Sequence, residues 1–268
     1  MTRKTPVALT IAGSDSGAGA GIQADLKTFA ALGVYGASAL TAVTAQNTLG
    51  VRAVFNLPET IVAAQIEAIF EDFNVAAVKI GMLANREIVE VVAEAMRRFS
   101  PRFVVLDPVM MASSGDLLIA PAAVSAIKSQ LFPALDCLTP NLAEAAALLG
   151  EALAGDEVAM ARQGAALLEL GPRAVLMKGG HLQSSEAVDI LVTPRGTRRV
   201  AGTRIASRNL HGTGCTLSAA IAAQIVVGRE LREAVAAAKA FVTGAIEAGR
   251  DLTLGFGPGP LLQHYLIA

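Results

Sequence analysis

Apolar and polar positions fall into alternating blocks along the chain. Residues 7–12 form an unbroken β-rich apolar run that stops at the turn cluster Gly13-Ser14-Asp15-Ser16-Gly17. Ile22, Leu26, Phe29 and Ala30 then recur at helical spacing and predict a helix over 21–32. Residues 38–44 read as a buried strand, and 59–72 carry Ile61, Val62, Ile66, Ile69 and Phe70 on one helical face. The same reading gives strands at 76–80, 103–106, 136–138 and 174–177, with helices at 86–98, 121–131, 141–149 and 157–170. The helix over 86–98 stops before Ser100-Pro101. The rhythm breaks over 188–204, where two short β-like runs flank Pro194-Arg195-Gly196 and predict a hairpin. Helices resume over 214–227 and 230–248, ahead of a Gly/Pro-rich turn at 255–260.

Alternating strands and helices with continuous apolar strands predict an α/β fold. The expected architecture is a central, mostly parallel sheet covered by helices on both faces, with a small β excursion. No repeat, linker or low-complexity block divides the chain, so residues 1–268 are expected to form one domain. In sheets of this kind ligands collect at the carboxyl ends of the strands, where the polar residues of this sequence concentrate.

Composition changes that picture in two ways. Hydrophobic residues make up 53% of the chain and charged residues 17%, and the mean hydropathy of +0.51 raises the question of a membrane. The longest uncharged stretch, between Lys27 and Arg52, is broken by Gly33, Gly36, Ser38, Thr41, Thr44, Gln46 and Asn47, so no bilayer span is expected. With 22 basic and 23 acidic residues and no basic stripe, a nucleic-acid partner is not expected either. No apolar segment of secretory type follows the first residues, and Cys137 and Cys215 make no disulfide framework, so the chain reads as cytoplasmic.

Four groups of residues carry candidate chemistry. The loop from Gly13 to Ala24 lies between a strand and a helix, and Gly19-Ala20-Gly21-Ile22-Gln23-Ala24 formally fits a dinucleotide fingerprint. That reading wants an acidic residue after the second strand, where Gln46-Asn47 stands instead. The loop could equally bind nothing, or wall a small-molecule pocket with Asp25 and Gln46 as its polar groups. Next, His211-Gly212-Thr213-Gly214-Cys215-Thr216 immediately precedes an Ala-rich helix. Backbone N–H groups at a helix start form an anion site, and a thiol in the first turn is expected to ionise more readily. Cys137 lacks such company and reads as strand core.

Asp107 ends the strand at 103–106, while Asn141 and Glu144 stand three apart at a helix start. That pair could hold hydrated Mg²⁺ beside phosphates or could simply cap the helix. Finally, Lys178 emerges from an apolar strand into Gly179-Gly180, either to neutralise a phosphate or as a surface lysine before a turn. His181, His211 and His264 have no metal-ligand spacing, and neither a nucleophile elbow nor a P-loop motif occurs.

Taken together, the segments 10–17, 21–28, 41–48, 79–83, 106–110, Thr139-Pro140-Asn141 with Glu144-Ala145, Lys178-Gly179-Gly180-His181 and 211–217 resemble the ribokinase-like superfamily. They closely resemble its hydroxymethylpyrimidine/phosphomethylpyrimidine kinase branch. The resemblance implies a ribokinase-like three-layer fold and ATP-dependent phosphorylation of 4-amino-5-hydroxymethyl-2-methylpyrimidine, then of its monophosphate, for thiamine synthesis. It implies that Gln46 and Asp25 hydrogen-bond the aminopyrimidine while Met82 and Val109 pack on its ring. Gly212, Thr213 and Gly214 become the anion hole and Lys178 the partner of the nucleotide phosphates. Glu144, Asn141 and Asp107 would place Mg²⁺. Cys215 stands where most of the superfamily has an aspartate base.

The branch also implies a homodimer. Ala18, Leu210 and Leu117 depart from its usual residues, and the tail lacks its histidines. The alternatives are a pyridoxal kinase, a non-catalytic vitamin-binding module and a dinucleotide oxidoreductase.

Overall fold

The computed structural model describes residues 5, 7–110, 119–180, 182 and 185–267. Its strands are β1 (Val7–Asp15), β2 (Tyr35–Asn47), β3 (Gly50–Asn56), β4 (Val75–Ile80), β5 (Val104–Leu106), β6 (Cys137–Leu138), β7 (Val175–Lys178), β8 (Glu186–Thr193) and β9 (Gly196–Thr203). The α-helices are α1 (Gly21–Ala31), α2 (Glu59–Asp72), α3 (Arg86–Phe99), α4 (Pro121–Ala126), α5 (Leu142–Leu149), α6 (Glu157–Leu168), α7 (Thr213–Val226) and α8 (Leu231–Gly249). All nine strands join one sheet in the order β3-β2-β1-β4-β5-β6-β7-β8-β9. From β2 to β7 every pairing is parallel, whereas β3, β8 and β9 add antiparallel edges.

The three layers follow from side-chain alternation along the strands. Leu9, Ile80, Val104, Leu106, Val175 and Met177 point to one face, under α2, α3, α4, α5 and α6. Ala8, Ala77, Val105, Cys137 and Leu176 point to the other, under α1, α7 and α8. Because β strands have a period of two, each parallel strand needs apolar residues on both faces, which produces the unbroken runs in the sequence. Cys137 lies fully buried in strand core, and burial pushes its thiol up to about 12. Among the described residues no helix is long and apolar enough to cross a membrane.

Several elements differ from the sequence-based expectation, among them β3, which it lacked, and β2, which extends past 38–44 at both ends. β1 runs on to Asp15, because Ser14 and Asp15 still pair with Val43 and Thr44 of β2. The helix expected over 121–131 becomes α4 followed by a π-helical turn, Ile127–Leu131, and a 3₁₀ turn, Phe132–Ala134, that holds Pro133. The predicted hairpin is β8 and β9, which continue the main sheet rather than leaving it. The order reverses between β1 and β4, each of which pairs with the other while β2 lies on the far side of β1. A crevice at such a reversal, over the carboxyl ends of the strands, is where open α/β sheets bind ligands.

Candidate active site

A cleft of about 380 Å³ opens at that place. Its walls come from the ends of β1, β2, β4 and β7, from the starts of α5 and α7, and from one side of α8. Its lining includes Gln46, Met82 and Val109, with Met82 and Val109 packed beside Ala42 and Ala84. The lining also carries the apolar residues Leu217, Val242, Ile246 and Ile205, together with Arg204, Lys239 and Thr243. Lys178, Asp107 and Gly214 lie on the same walls.

Asp25 is not on the cleft wall. It is fully buried in α1, and its Oδ2 accepts hydrogen bonds from Thr10 Oγ1 at 2.6 Å and Lys79 Nζ at 2.7 Å. The expected place of Asp25 on the pocket wall is therefore corrected: its partner Lys79, at the end of β4, reaches the cleft instead. Although burial works against its charge, Asp25 and, more weakly, Cys215 and Asp107 raise the Lys79 pKa, so the ammonium keeps its proton. A side-chain carbon at Gly81 would lie 2.9 Å from that ammonium, so the strand end must be bare there.

α7 starts at Gly212, whose φ of +85° suits glycine, and no side chain caps it. Its first-turn amides therefore have no acceptor within the helix. Thr213 does not face a ligand through its hydroxyl, which donates to Leu210 O at 2.7 Å and ties the turn to itself. Gly214 faces the centre of the cleft: a methyl there would lie 3.2 Å from both Asp107 Oδ2 and Lys178 Nζ. The helix start thus presents bare backbone directly to an ion pair.

Cys215 departs from expectation. Burial pushes its thiol up to about 11, against the opposing influence of Lys79 and the Gly21 amide; Asp25 and Asp107 push it the same way as burial. The thiol is neutral at physiological pH, because Lys79 and the Gly21 amide do not outweigh the loss of water and the two nearby carboxylates.

Lys178 bonds Asp107 Oδ1 at 2.5 Å and lies 3.6 Å from Glu144 Oε2. Asn141 and Glu144 form a complete capping box: Asn141 Oδ1 accepts from the Glu144 amide at 2.9 Å and Glu144 Oε2 from the Asn141 amide at 2.6 Å. Capping and a place on the cleft wall are thus compatible. Burial and the neighbouring Asp107 push the Glu144 carboxyl up to about 7, with Lys178 opposing. Among the described residues no cluster of three or more His, Cys, Asp or Glu side chains could enclose a metal. The ammonium of Lys178 occupies the space between the two carboxylates. Their charge and hard oxygen donors suit a hydrated Mg²⁺ held from outside through its water ligands.

Sequence reasoning missed the role of the first glycine loop. A side-chain carbon at Gly19 would strike the His211 ring, and one at Gly212 would strike the Gly19 carbonyl. The glycines let two turns nest against each other, which removes the pyrophosphate reading of 19–24. Asp15 anchors the loop: its carboxylate accepts from the amides of Gly17, Gly19 and Ala20 at 2.8, 3.0 and 2.9 Å and from His211 Nε2 at 2.9 Å. Although burial opposes it, those hydrogen bonds hold Asp15 below the ordinary aspartate range. Ala18 lies in this loop at φ +60°, a conformation that explains why glycine is usual there. His181 and Leu117 lie outside the described residues.

A family model described as phosphomethylpyrimidine kinase matches residues 15–261. A hydroxymethylpyrimidine/phosphomethylpyrimidine kinase of Rhizobium meliloti is 56% identical over 261 residues, 97% of each chain. The crystal structure of phosphomethylpyrimidine kinase from Clostridium difficile 630 superposes with a TM-score of 0.80 at 45% identity, covering 90% of this chain and all of that one. The pyridoxal kinase of Staphylococcus aureus, in complex with AMP-PCP and pyridoxal, superposes with a TM-score of 0.89 at 32% identity, covering 98% and 94% of the two chains.

Proposed function

The chain belongs to the phosphomethylpyrimidine kinase family, and from that premise we propose how its cleft divides the work of phosphoryl transfer. The enzyme is an ATP-dependent kinase of thiamine biosynthesis. It phosphorylates 4-amino-5-hydroxymethyl-2-methylpyrimidine and then the monophosphate, giving the diphosphate. The 56% identity to the R. meliloti enzyme, against 32% to the S. aureus pyridoxal kinase, favours the pyrimidine over pyridoxal and removes the non-catalytic alternative.

In our reading Gln46 hydrogen-bonds the aminopyrimidine while Met82 and Val109 hold its ring. The nucleotide lies toward the apolar lining residues Leu217, Val242, Ile246 and Ile205. The hydroxymethyl oxygen attacks the γ-phosphorus of ATP, the bond to the bridging oxygen breaks, and ADP leaves with the shared electron pair. The hydroxyl proton is released to water. The Gly214 and Cys215 amides, on the turn shaped by Gly212 and Thr213, meet charge growing on the transferred group, and Lys178 neutralises the phosphates. Cys215 touches the acceptor as a neutral thiol and orients it, since phosphoryl transfer depends mainly on positioning and electrostatics. Bound Mg²⁺ would neutralise phosphate charge, held through its waters by Asp107 and Glu144 with Asn141 beside them. The single domain is proposed to act as a cytoplasmic homodimer; two free thiols fit a reducing compartment.

The observation that carries this reading is the placement of Gly214 against Lys178 and Asp107 in mid-cleft. Mass spectrometry of products from the pyrimidine alcohol with ATP and Mg²⁺ tests it, with pyridoxal assayed alongside. Mono- and diphosphate are expected; phosphorylation of pyridoxal alone overturns the assignment.

A further inference from the structure

Gln46 sits in a chain of contacts that fixes more than its position. Its backbone is tied to the first glycine loop, since Ser16 Oγ donates to Gln46 O at 2.7 Å and accepts from the Gln46 amide at 2.8 Å. Its side chain spans two neighbours, with Oε1 3.2 Å from Thr44 Oγ1 and Nε2 3.4 Å from His211 Nε2, ends that only their hydrogen-bond partners tell apart. We propose that His211 is a positioning residue that decides which end of the Gln46 amide meets which atom of the pyrimidine. By doing so it selects a 4-amino over a 4-oxo ring. The proposal rests on the reading that Gln46 binds the pyrimidine.

The argument is one of donors and acceptors. His211 Nε2 lies 2.9 Å from Asp15 Oδ2, and an ionised carboxylate can only accept. Asp15 stays ionised, because three amides as well as His211 bond it. His211 Nε2 must therefore carry the hydrogen. With that hydrogen given to Asp15, Nε2 keeps no lone pair to accept from the –NH₂ end of Gln46, which makes the carbonyl oxygen the better neighbour. At the other end, Thr44 Oγ1 has one hydrogen, given to Ser14 O at 2.8 Å, so it can only accept from Gln46. Both neighbours select the same amide orientation, oxygen toward His211 and nitrogen toward Thr44, with the two ends exchanged from the contacts above.

The free lone pair and the free N–H of that amide then stand side by side, acceptor nearer His211 and donor nearer Thr44. A 4-aminopyrimidine offers the complement, an amino hydrogen beside a ring nitrogen lone pair. A 4-oxo ring offers the reverse order, carbonyl beside N–H. An unrestrained glutamine would turn over and accept either ring. One held at both ends would not.

The test has two arms. Nitrogen-15 NMR of histidine-labelled wild-type enzyme, which has three histidines, reads the tautomer directly. The signal of His211, assigned by its loss in His211→Gln, is expected to report a protonated Nε2. A His211 protonated on Nδ1 alone overturns the proposal. In the second arm the kcat/KM for the aminopyrimidine and the Ki of its 4-oxo analogue are compared between wild type and variants. His211→Leu is expected to narrow the discrimination by about tenfold, the size of one net hydrogen bond, with the KM for ATP unchanged. His211→Gln, which keeps a donor, should restore most of it, and adding Gln46→Ala to His211→Leu should remove nothing further. Equal losses on both rings, or additive losses in the double variant, overturn the proposal and leave His211 with a packing role. If His211→Leu does not fold, the tautomer decides alone. Failure of the wild type to phosphorylate the aminopyrimidine is a separate result, which removes the functional reading instead.

Discussion

Cys215 opens a helix that should ease its ionisation, yet the thiol is pushed up to about 11 by burial and two carboxylates. Alkylation by iodoacetamide should therefore keep accelerating as pH rises from 7 to about 10, without the plateau of an ordinary thiol near 8.5. Cys215→Ala should lower turnover strongly with a smaller effect on pyrimidine affinity; near-normal turnover would remove Cys215 from the reaction. Asp15 titrates the other way. Its folded pKa lies below 3.8, so its stabilisation is fully present above that pH and fades as pH falls through the depressed value. Thermal melts should show the gap between wild type and Asp15→Asn widest near neutrality and shrinking below pH 3.8. Residues at strand ends were legible in the sequence: Gln46, Asp107 and Lys178 all follow apolar runs and all reach the cleft. Asp25 was not, because helical spacing cannot say whether a polar residue points at a ligand or at a lysine 54 positions away.

Elements were read to the extent that burial wrote a period into them. α3 alternates buried and exposed positions and carries an Asn85 cap that accepts from Ile88, so its limits are plain in the sequence. β3 escaped notice because its residues from Arg52 to Asn56 are exposed, and without a buried face no alternation survives. α7 is the opposite case: from Thr216 to Ile225 every residue is buried, so the helix shows through its alanines and its glycine start rather than through a polar face. Its first turn is also where substitution should act most locally. Gly214→Ala would bring a methyl to 3.2 Å from Lys178 Nζ and Asp107 Oδ2, on the surface offered to the phosphoryl group. A loss of about 10²-fold or more in kcat with an almost unchanged melting temperature is expected, as for removal of an anion-hole donor. A small kcat effect would place the transferred group elsewhere.

For the molecule as a whole, strand order explains why residues from both ends of the chain share one cleft. β1 lies inside the sheet beside the reversal, and the segment after α8 returns to the same place. There the His211 amide donates to Gly259 O at 3.2 Å and the Gly259 amide to Asn209 Oδ1 at 2.9 Å. Buried Gln263 donates to Gly19 O at 3.2 Å. Gln263→Leu should therefore cost about 1–3 kcal/mol, seen in denaturant melts, and weaken pyrimidine and nucleotide binding together, since it strips a buried carbonyl of its donor. An unchanged melt would mean that the tail merely rests on the loop. The nesting of Gly19 against His211 and Gly212 also sets an order of events during synthesis. The turn at Gly19 cannot take its final shape until His211 and Gly212 have followed it, after β9, so a nascent chain can complete its sheet and still be no kinase.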